Sequence, residues 1–329
     1  MLPGGVVNHA PYSSGLKHRS FHKTYFMSAE PNTHRSGFVN ILGRPNMGKS
    51  TLLNALVGEK MSIITAKPQT TRHRILGIVS GEDFQIVFSD TPGFIDEPAY
   101  RMHQMMNAYI HLSFDDADII LFVTDPYESL KDQNALINRI TTHEGSVMVV
   151  LNKKDLMTPE ELDARLQELH ELIPGRKVYA LSALKGDGVQ EVMQDIIAQL
   201  PPGPVFYPKD QLTDRPERFF VSEIIRGQLL ELYRDEIPYS CEITIDSFSE
   251  GESNSGPITR ISAVIYTLDE RKKTIILGKG GSAIKSLGTA ARHEIEAFLG
   301  KRVFLELVVK VRDNWRDDEK ALKSFGYQN

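Results

Sequence analysis

The run Gly43-Arg44-Pro45-Asn46-Met47-Gly48-Lys49-Ser50 is a complete G-x-x-x-x-G-K-S loop, and it constrains the fold more than any other stretch of the 329 residues. The apolar residues 37–42 (GFVNIL) before it read as a buried strand, and residues 51–56 (TLLNAL) begin a helix. A strand that feeds a glycine-rich turn into a helix N-terminus aims several backbone N–H groups, and the positive end of the helix dipole, at phosphate oxygens. In such a loop Lys49 reaches the β- and γ-phosphates and Ser50 ligates Mg²⁺. A glycine turn alone is common, but the full pattern between a strand and a helix predicts a nucleotide-binding protein.

Four further segments follow in the order a GTPase requires. Asp90-Thr91-Pro92-Gly93 comes straight after the apolar run 84–88, at the end of a strand. There Asp90 can hold Mg²⁺ through a water and the Gly93 N–H can sense the γ-phosphate. Asn152-Lys153-Lys154-Asp155 follows the run 147–151 (VMVVL). A carboxylate at Asp155 accepts from the N1–H and 2-amino group of guanine; adenine has neither donor and would leave it unpaired, so GTP is expected over ATP. Ser182-Ala183-Leu184, after another strand-like run, can offer a backbone N–H to the guanine O6. Gln69-Thr70-Thr71-Arg72 lies between the first helix and the next strand. A Thr hydroxyl here completes the Mg²⁺ shell only while the γ-phosphate is present, which makes an order–disorder switch.

The position after DTPG is Phe94, where Ras-like proteins carry a water-positioning Gln. A phenyl ring cannot orient water, so help in catalysis has to come from a backbone group, a bound cation or a partner. Asn46, with backbone carbonyls from residues 61–68, is a candidate to hold K⁺ near the β–γ bridging oxygen. The alternative is that Asn46 only supports the turn. The order of elements predicts an α/β fold: a doubly wound, mostly parallel P-loop GTPase domain with its loops at the carboxyl ends of the strands.

The chain has room for two domains. Its net charge of −5 gives no global sign of nucleic-acid binding, so such a reading has to rest on local patches. The single cysteine, Cys241, excludes an intrachain disulfide and suits a reducing compartment; a small buried apolar role is expected for it. No apolar run approaches the roughly 18–20 residues that span a bilayer. Residues 1–26 contain Lys17, Arg19 and Lys23 and no acidic residue. They read as a transit peptide lacking an apolar face, or as a disordered extension ahead of a working start at Met27. The expected division is an extension over 1–34, a GTPase domain over 35–200, a linker over 201–216 and a second domain over 217–329.

Residues 200–216 carry five prolines and no periodic pattern, which marks the linker, expected to pack in part through Phe206 and Tyr207. Beyond it, residues 217–235 show helical apolar spacing at Phe220, Ile224, Leu229 and Leu232. Residues 241–248, 258–268 and 303–311 read as strands, the last with Val303, Leu305, Leu307, Val309 and Val311 on one face. Between the last two strands stands Gly278-Lys279-Gly280-Gly281, preceded by an apolar strip and followed by a helix-like run over 282–299. This is a K-homology (KH) arrangement, in which a tight G-x-x-G turn brings backbone N–H groups against a nucleic-acid backbone beside a groove for about four unstacked bases. From residue 271 to 312 there are ten Lys or Arg against three Glu, a local basic surplus in an acidic chain. Single-stranded RNA binding is therefore expected, on an α+β domain of type II KH topology with the order helix–strand–strand–GxxG–helix–strand.

Over residues 35–329 the ordered motifs resemble the Era GTPase family, through GRPNMGKSTLLN, PQTTRHRI, FSDTPGF, NKKD, LTDRPERF, IPYS, ILGKGGSAIK and the tail LELVVKVRDNWRDDEKALKSFGY. The resemblance prefers Thr71 to Thr70 as the switch ligand. It implies nucleotide contacts on residues 43–50, 90–94 and 152–155, with Ser182, Ala183 and Leu184 beside the base. It puts Lys49, Ser50, Thr71, Asp90, Gly93 and Asn46 in the catalytic set, and Ser50, Thr71 and Asp90 around Mg²⁺. RNA contacts are implied at Gly278, Lys279, Gly280 and Gly281, with Lys273, Ile276 and Lys285 alongside. The family further implies GTP and GDP as ligands, binding to the 3′ end of 16S ribosomal RNA, maturation of the 30S subunit, and a cytoplasmic protein peripherally associated with the inner membrane, with an organellar member as the less favoured alternative. An RNA-binding chaperone with nucleotide as a structural ligand is the alternative. A GTPase of RNA modification would need a further catalytic domain, for which the sequence shows no Cys/His cluster or cofactor motif.

Overall fold

A computed structural model describes residues 34–65, 67–129, 134–253 and 256–327. The expectation for the first 33 residues lies outside them. The first part of the described chain runs β1 (Arg35–Leu42), α1 (Lys49–Val57), β2 (Ile75–Ser80), β3 (Phe84–Asp90), α2 (Arg101–Asp115), β4 (Ile119–Thr124), α3 (Asn134–Thr142), β5 (Ser146–Leu151), α4 (Pro159–Leu172), β6 (Lys177–Ala180) and α5 (Val189–Gln199). Its strands form one sheet in the order β2-β3-β1-β4-β5-β6, parallel throughout except for the β2–β3 pair. Strand β4 is buried at every position, the signature of a parallel strand covered on both faces. Leu52 and Leu53 of α1 and Val192 and Ile196 of α5 close one face. Ile110 and Phe114 of α2, Ile140 of α3 and Leu169 of α4 close the other. Because β1, β3, β5 and β6 run in parallel, the loops at their carboxyl ends gather along one edge.

The second part runs α6 (Glu217–Leu232), β7 (Glu242–Ser253), β8 (Gly256–Thr267), α7 (Glu270–Leu277), α8 (Ser282–Leu299), β9 (Val303–Val311) and α9 (Glu319–Ser324). Its sheet has the order β7-β8-β9, with β7–β8 antiparallel and β8–β9 parallel. Val221, Ile225 and Leu229 of α6 pack with Leu287, Ala291 and Ile295 of α8 over Ile261, Ala263 and Ile265 of β8. Alternate residues of β9, from Val303 to Val309, point into this core as the alternation predicts.

Two details differ from the sequence expectation. A separate helix, α7, precedes the glycine turn; Asp269 caps it by accepting the Lys272 N–H at 2.8 Å. The apolar stripe of α6 is rotated from the expected one: Leu232 is 49% exposed and Phe220 packs into the core of the first domain. Cys241 sits just ahead of β7 and is fully buried.

Residues 201–216 hold no helix or strand, yet they are pinned to the first sheet. The Gln85 carboxamide of β3 accepts from the Phe206 and Tyr207 amides at 2.7 and 2.9 Å and donates to the Tyr207 carbonyl at 2.8 Å. The Ile78 N–H donates to the Leu212 carbonyl at 2.8 Å, and Phe206 lies 5.1 Å from Phe38. The C-terminal tail returns to the first domain, where Trp315, Leu322 and Tyr327 pack on Met102, Met105 and Met106 of α2.

Candidate nucleotide site and nucleic-acid turn

The loop between β1 and α1 owes its shape to residues with positive φ: Gly43 at 149°, Asn46 at 67° and Gly48 at 84°. A Cβ at Gly43 would lie 2.3 Å from the Val123 carbonyl oxygen, and one at Gly48 2.3 Å from Asn152 Nδ2. The ends of β4 and β5 thus close in on the loop, which borders a cavity of about 470 Å³. Lys49 is buried there, with Nζ donating to the Arg44 carbonyl at 2.8 Å. Burial pushes its ammonium down to about 8, against the opposing pull of Asp90 and Glu128.

Three oxygen donors from separate elements meet beside it. Ser50 Oγ lies 2.7 Å from Asp90 Oδ2 and 2.8 Å from Thr71 Oγ1, and Thr71 Oγ1 is 3.1 Å from the same carboxylate oxygen. Ser62 donates to that oxygen as well, at 3.0 Å. The other oxygen, Asp90 Oδ1, is buried with no hydrogen-bond partner among the described residues. Burial raises the Asp90 carboxyl above its ordinary range, opposed by Lys49 and the three hydroxyls. A hard, all-oxygen donor set with an unsatisfied carboxylate oxygen fits Mg²⁺. Thr70 instead bonds Thr65 and the Lys67 carbonyl, so Thr71 is the hydroxyl that reaches the donor cluster.

At the other end of the cavity Asn152 ties three loops together. Its Nδ2 donates to the Met47 carbonyl at 3.0 Å, and its Oδ1 accepts from the Lys153 and Ala183 amides at 2.8 and 3.0 Å. Lys153 reaches back to the Asn46 carbonyl and to Asp125, each at 2.7 Å. A hydrogen bond from Ser182 holds the Asp155 carboxyl below its usual range, so it is an ionised acceptor at neutral pH. Asp155, Ser182 and Leu184 line the cavity with Asn152 and Lys153.

Several residues expected at the nucleotide turn away from the cavity. The Thr91 hydroxyl donates to the Ile41 carbonyl at 2.8 Å and joins the strands. Phe94 packs against the α2 side of the sheet, while its N–H donates to the Gly43 carbonyl at 3.2 Å. Arg44 pairs with Asp96 at 2.6 Å and Lys154 with Asp187 at 2.9 Å. Met47 is buried in the core, and Ala183 has already given its N–H to Asn152. Pro92 is buried too, whereas Pro45 and Gly93 do line the cavity. Thr65 and Gln69, from the expected switch segments, also line it, as do Thr51 and Leu156, which were not foreseen. Leu156 follows Asp155 in a single 3-10 turn and is half exposed, a signal present in the sequence as an apolar residue directly after NKKD.

In the second domain Gly278, Gly280 and Gly281 all take positive φ, at 72°, 59° and 79°. A Cβ at Gly278 would collide with Ala283 at 2.6 Å, whereas at Gly280 and Gly281 it would meet nothing within 4 Å. The turn is thus locked on its inner side and bare on its outer side. Lys279 and Lys285 stand beside it, both exposed, and Lys273 pairs with Glu270 at 3.2 Å. Ile276 differs from the sequence expectation: its side chain is fully buried in the domain core rather than presented at the surface, and its carbonyl accepts from Tyr233 at 2.8 Å. Its neighbour Ile275, 43% exposed, is the apolar residue that α7 presents outward.

Comparison with known proteins identifies both domains. Residues 38–153 match the family described as 50S ribosome-binding GTPase, and residues 236–316 match the KH domain. The chain is 43% identical over 299 residues to the chloroplastic GTPase ERA-like protein of Oryza sativa subsp. japonica, covering 89% of this chain and 70% of that one. It is equally identical, at 43% over 295 residues, to GTPase Era of Geobacter sp. (strain M21), covering 89% of this chain and 98% of that one. A crystal structure of Era with MgGDPNP and nucleotides 1506–1542 of 16S ribosomal RNA superposes with a TM-score of 0.84 at 36% identity, covering 90% of this chain and all of that one. Among the described residues no helix is long and apolar enough to cross a membrane. This chain belongs to the Era family: it is a GTPase whose P-loop domain is followed by a KH domain.

Proposed function

We propose that this GTPase is a molecular switch that binds the 3′ end of 16S ribosomal RNA through its KH domain and assists maturation of the 30S subunit. The observation that carries the RNA half is the bare outer face of the glycine turn, where Gly280 and Gly281 leave space for a nucleic-acid backbone beside Lys279 and Lys285. The Era structure holding a 16S fragment supplies the choice of RNA.

In the nucleotide half, the loop amides and Lys49 bind the phosphates, Ser50, Thr71 and Asp90 hold Mg²⁺, and Asp155 selects guanine. The ion, when bound, neutralises charge on the β- and γ-phosphates. A second cation, K⁺, is proposed at Asn46, which is exposed and lines the same cavity as Ile63, Ile64 and Thr65; its positive φ also serves the turn. The place of action is the cytoplasm, with peripheral association at the inner membrane as in the bacterial resemblance. Multiple-turnover phosphate release with and without the 16S 3′-end RNA tests the proposal. Acceleration by RNA is expected; a rate indifferent to RNA would favour the chaperone reading, in which nucleotide is only a structural ligand.

A further inference from the structure

We propose that Arg226, on α6 of the KH domain, is a positioning residue for GTP hydrolysis that acts through Thr71; this rests on the reading of Thr71 as a Mg²⁺ ligand. Both neighbours of Thr71 are anchored in the second domain. On the amino side, the Arg226 guanidinium donates to the Gln69 carbonyl at 3.3 Å and to the Thr70 carbonyl. Glu223, one turn earlier, aims that guanidinium by accepting from Nε at 2.9 Å and from a second N–H. On the carboxyl side, Arg72 donates to the Cys241 carbonyl at 2.7 Å, to Glu242 at 3.1 Å and to the Tyr239 carbonyl at 3.2 Å. The Tyr327 hydroxyl donates to the same Glu242 oxygen at 2.7 Å. Thr71 stands between these two clamps with its hydroxyl on Ser50 and Asp90.

Two more observations point the same way. Gln69, whose carbonyl Arg226 holds, has φ at +58°, a conformation that a non-glycine residue keeps only when its surroundings fix it. Gly227, next to Arg226, lies so close to the nucleotide cavity wall that a Cβ there would come within 2.9 Å of Ile63 Cγ2. The plain reading is that these contacts only fasten two domains together. Arg72 and Arg226 are each 1% exposed, however, and burying guanidinium groups is a costly way to obtain adhesion that apolar contacts give more cheaply. What a guanidinium fork adds is direction: it fixes carbonyl oxygens at set positions.

The test uses the full chain and reads the Mg²⁺ concentration that half-maximally retains a fluorescent non-hydrolysable GTP analogue, together with kcat for GTP. Arg226→Gln is expected to raise that concentration and lower kcat, each about tenfold, the size of a missing charge-assisted hydrogen bond. GDP affinity should not change. Thr71→Ala is expected to do the same, and the double variant should be no worse than Thr71→Ala alone. Gly227→Ala keeps both charges and suits a helix, but its Cβ would press on Ile63 at 2.9 Å, so it perturbs the contact from the α6 side; it should shift the Mg²⁺ requirement in the same direction. Should Arg226→Gln fail to fold, judged by the fluorescence of buried Trp315, Glu223→Gln/Arg226→Gln removes the pair as a unit and is read in the same way. A wild-type Mg²⁺ requirement in the Arg226 variant, or effects of Arg226→Gln and Thr71→Ala that multiply, would overturn the proposal. An unchanged requirement in Thr71→Ala by itself would instead overturn the ligand reading on which it rests.

Discussion

Replacing Asp155 with Asn is expected to move preference from guanine to xanthine nucleotides, because an amide donates to the 2-oxo group but no longer accepts as the carboxylate does. Competition binding with GTP and XTP checks this, and unchanged GTP affinity with no gain for XTP would remove Asp155 from base recognition. If Asn46 holds a cation, turnover should be higher in K⁺ than in Na⁺ at equal ionic strength, and Asn46→Ala should abolish the difference. Equal rates in both salts would leave Asn46 as a turn residue. Cys241 should resist alkylation at pH 8 in the native protein, since burial pushes its thiol up to about 11 and its Sγ donates to the Ile237 carbonyl at 3.2 Å. The sign for stability follows: above about pH 9 the unfolded thiol ionises while the folded one stays neutral, so stability falls as pH rises from about 9 toward 11. Melting curves across that window check the direction. That Lys49, Ser50 and Asp155 would come together around one cavity was legible in the sequence, because short motifs at strand ends place them there. Ile276 was not, because in the run Ile275-Ile276-Leu277 only the helical phase of α7 decides which isoleucine faces the core. Arg72 and Arg226 were also invisible, since nothing in a charge pattern marks a guanidinium that will be buried.

At the scale of elements, several strands could be read from their apolar patterns: β3 and β5 as short continuous runs, β9 by the alternate residues of one face. Helix α7 could not, although its cap, Asp269, is followed by Glu270 in the first turn. With only eight residues it offers too little of the 3.6-residue period to stand out beside the glycines that follow. The linker was legible as a region without periodicity that packs in part through Phe206 and Tyr207, but the side chain that holds it was not. A single side chain in β3 does much of that holding, since Gln85 satisfies two amides and one carbonyl of the linker. Gln85→Leu would leave those groups without partners, and we expect a loss of about 2 kcal/mol in stability. A denaturant melt that matched wild type would show that the linker's hold lies elsewhere.

For the whole molecule, the KH domain and the nucleotide site are joined rather than strung together: the linker, the tail on α2 and the two buried arginines all cross between them. RNA binding should nevertheless be separable from nucleotide binding. Lys279→Asp/Gly280→Asp places two carboxylates on the bare side of the turn, one of them at a position with φ of 59°. RNA affinity should collapse, with the salt slope reduced by about 0.7 for each phosphate that is no longer neutralised, while GTP binding at residues 43–50 survives. Native RNA affinity in the folded double variant would remove the turn from the RNA site. The central claim is that one chain couples a GTP switch to recognition of the small ribosomal subunit. Its most direct test is co-sedimentation of the intact protein with 30S particles in a non-hydrolysable GTP analogue and in GDP. A larger bound fraction with the GTP analogue, abolished in Lys279→Asp/Gly280→Asp, is the predicted result, and equal binding in both nucleotides would contradict the account.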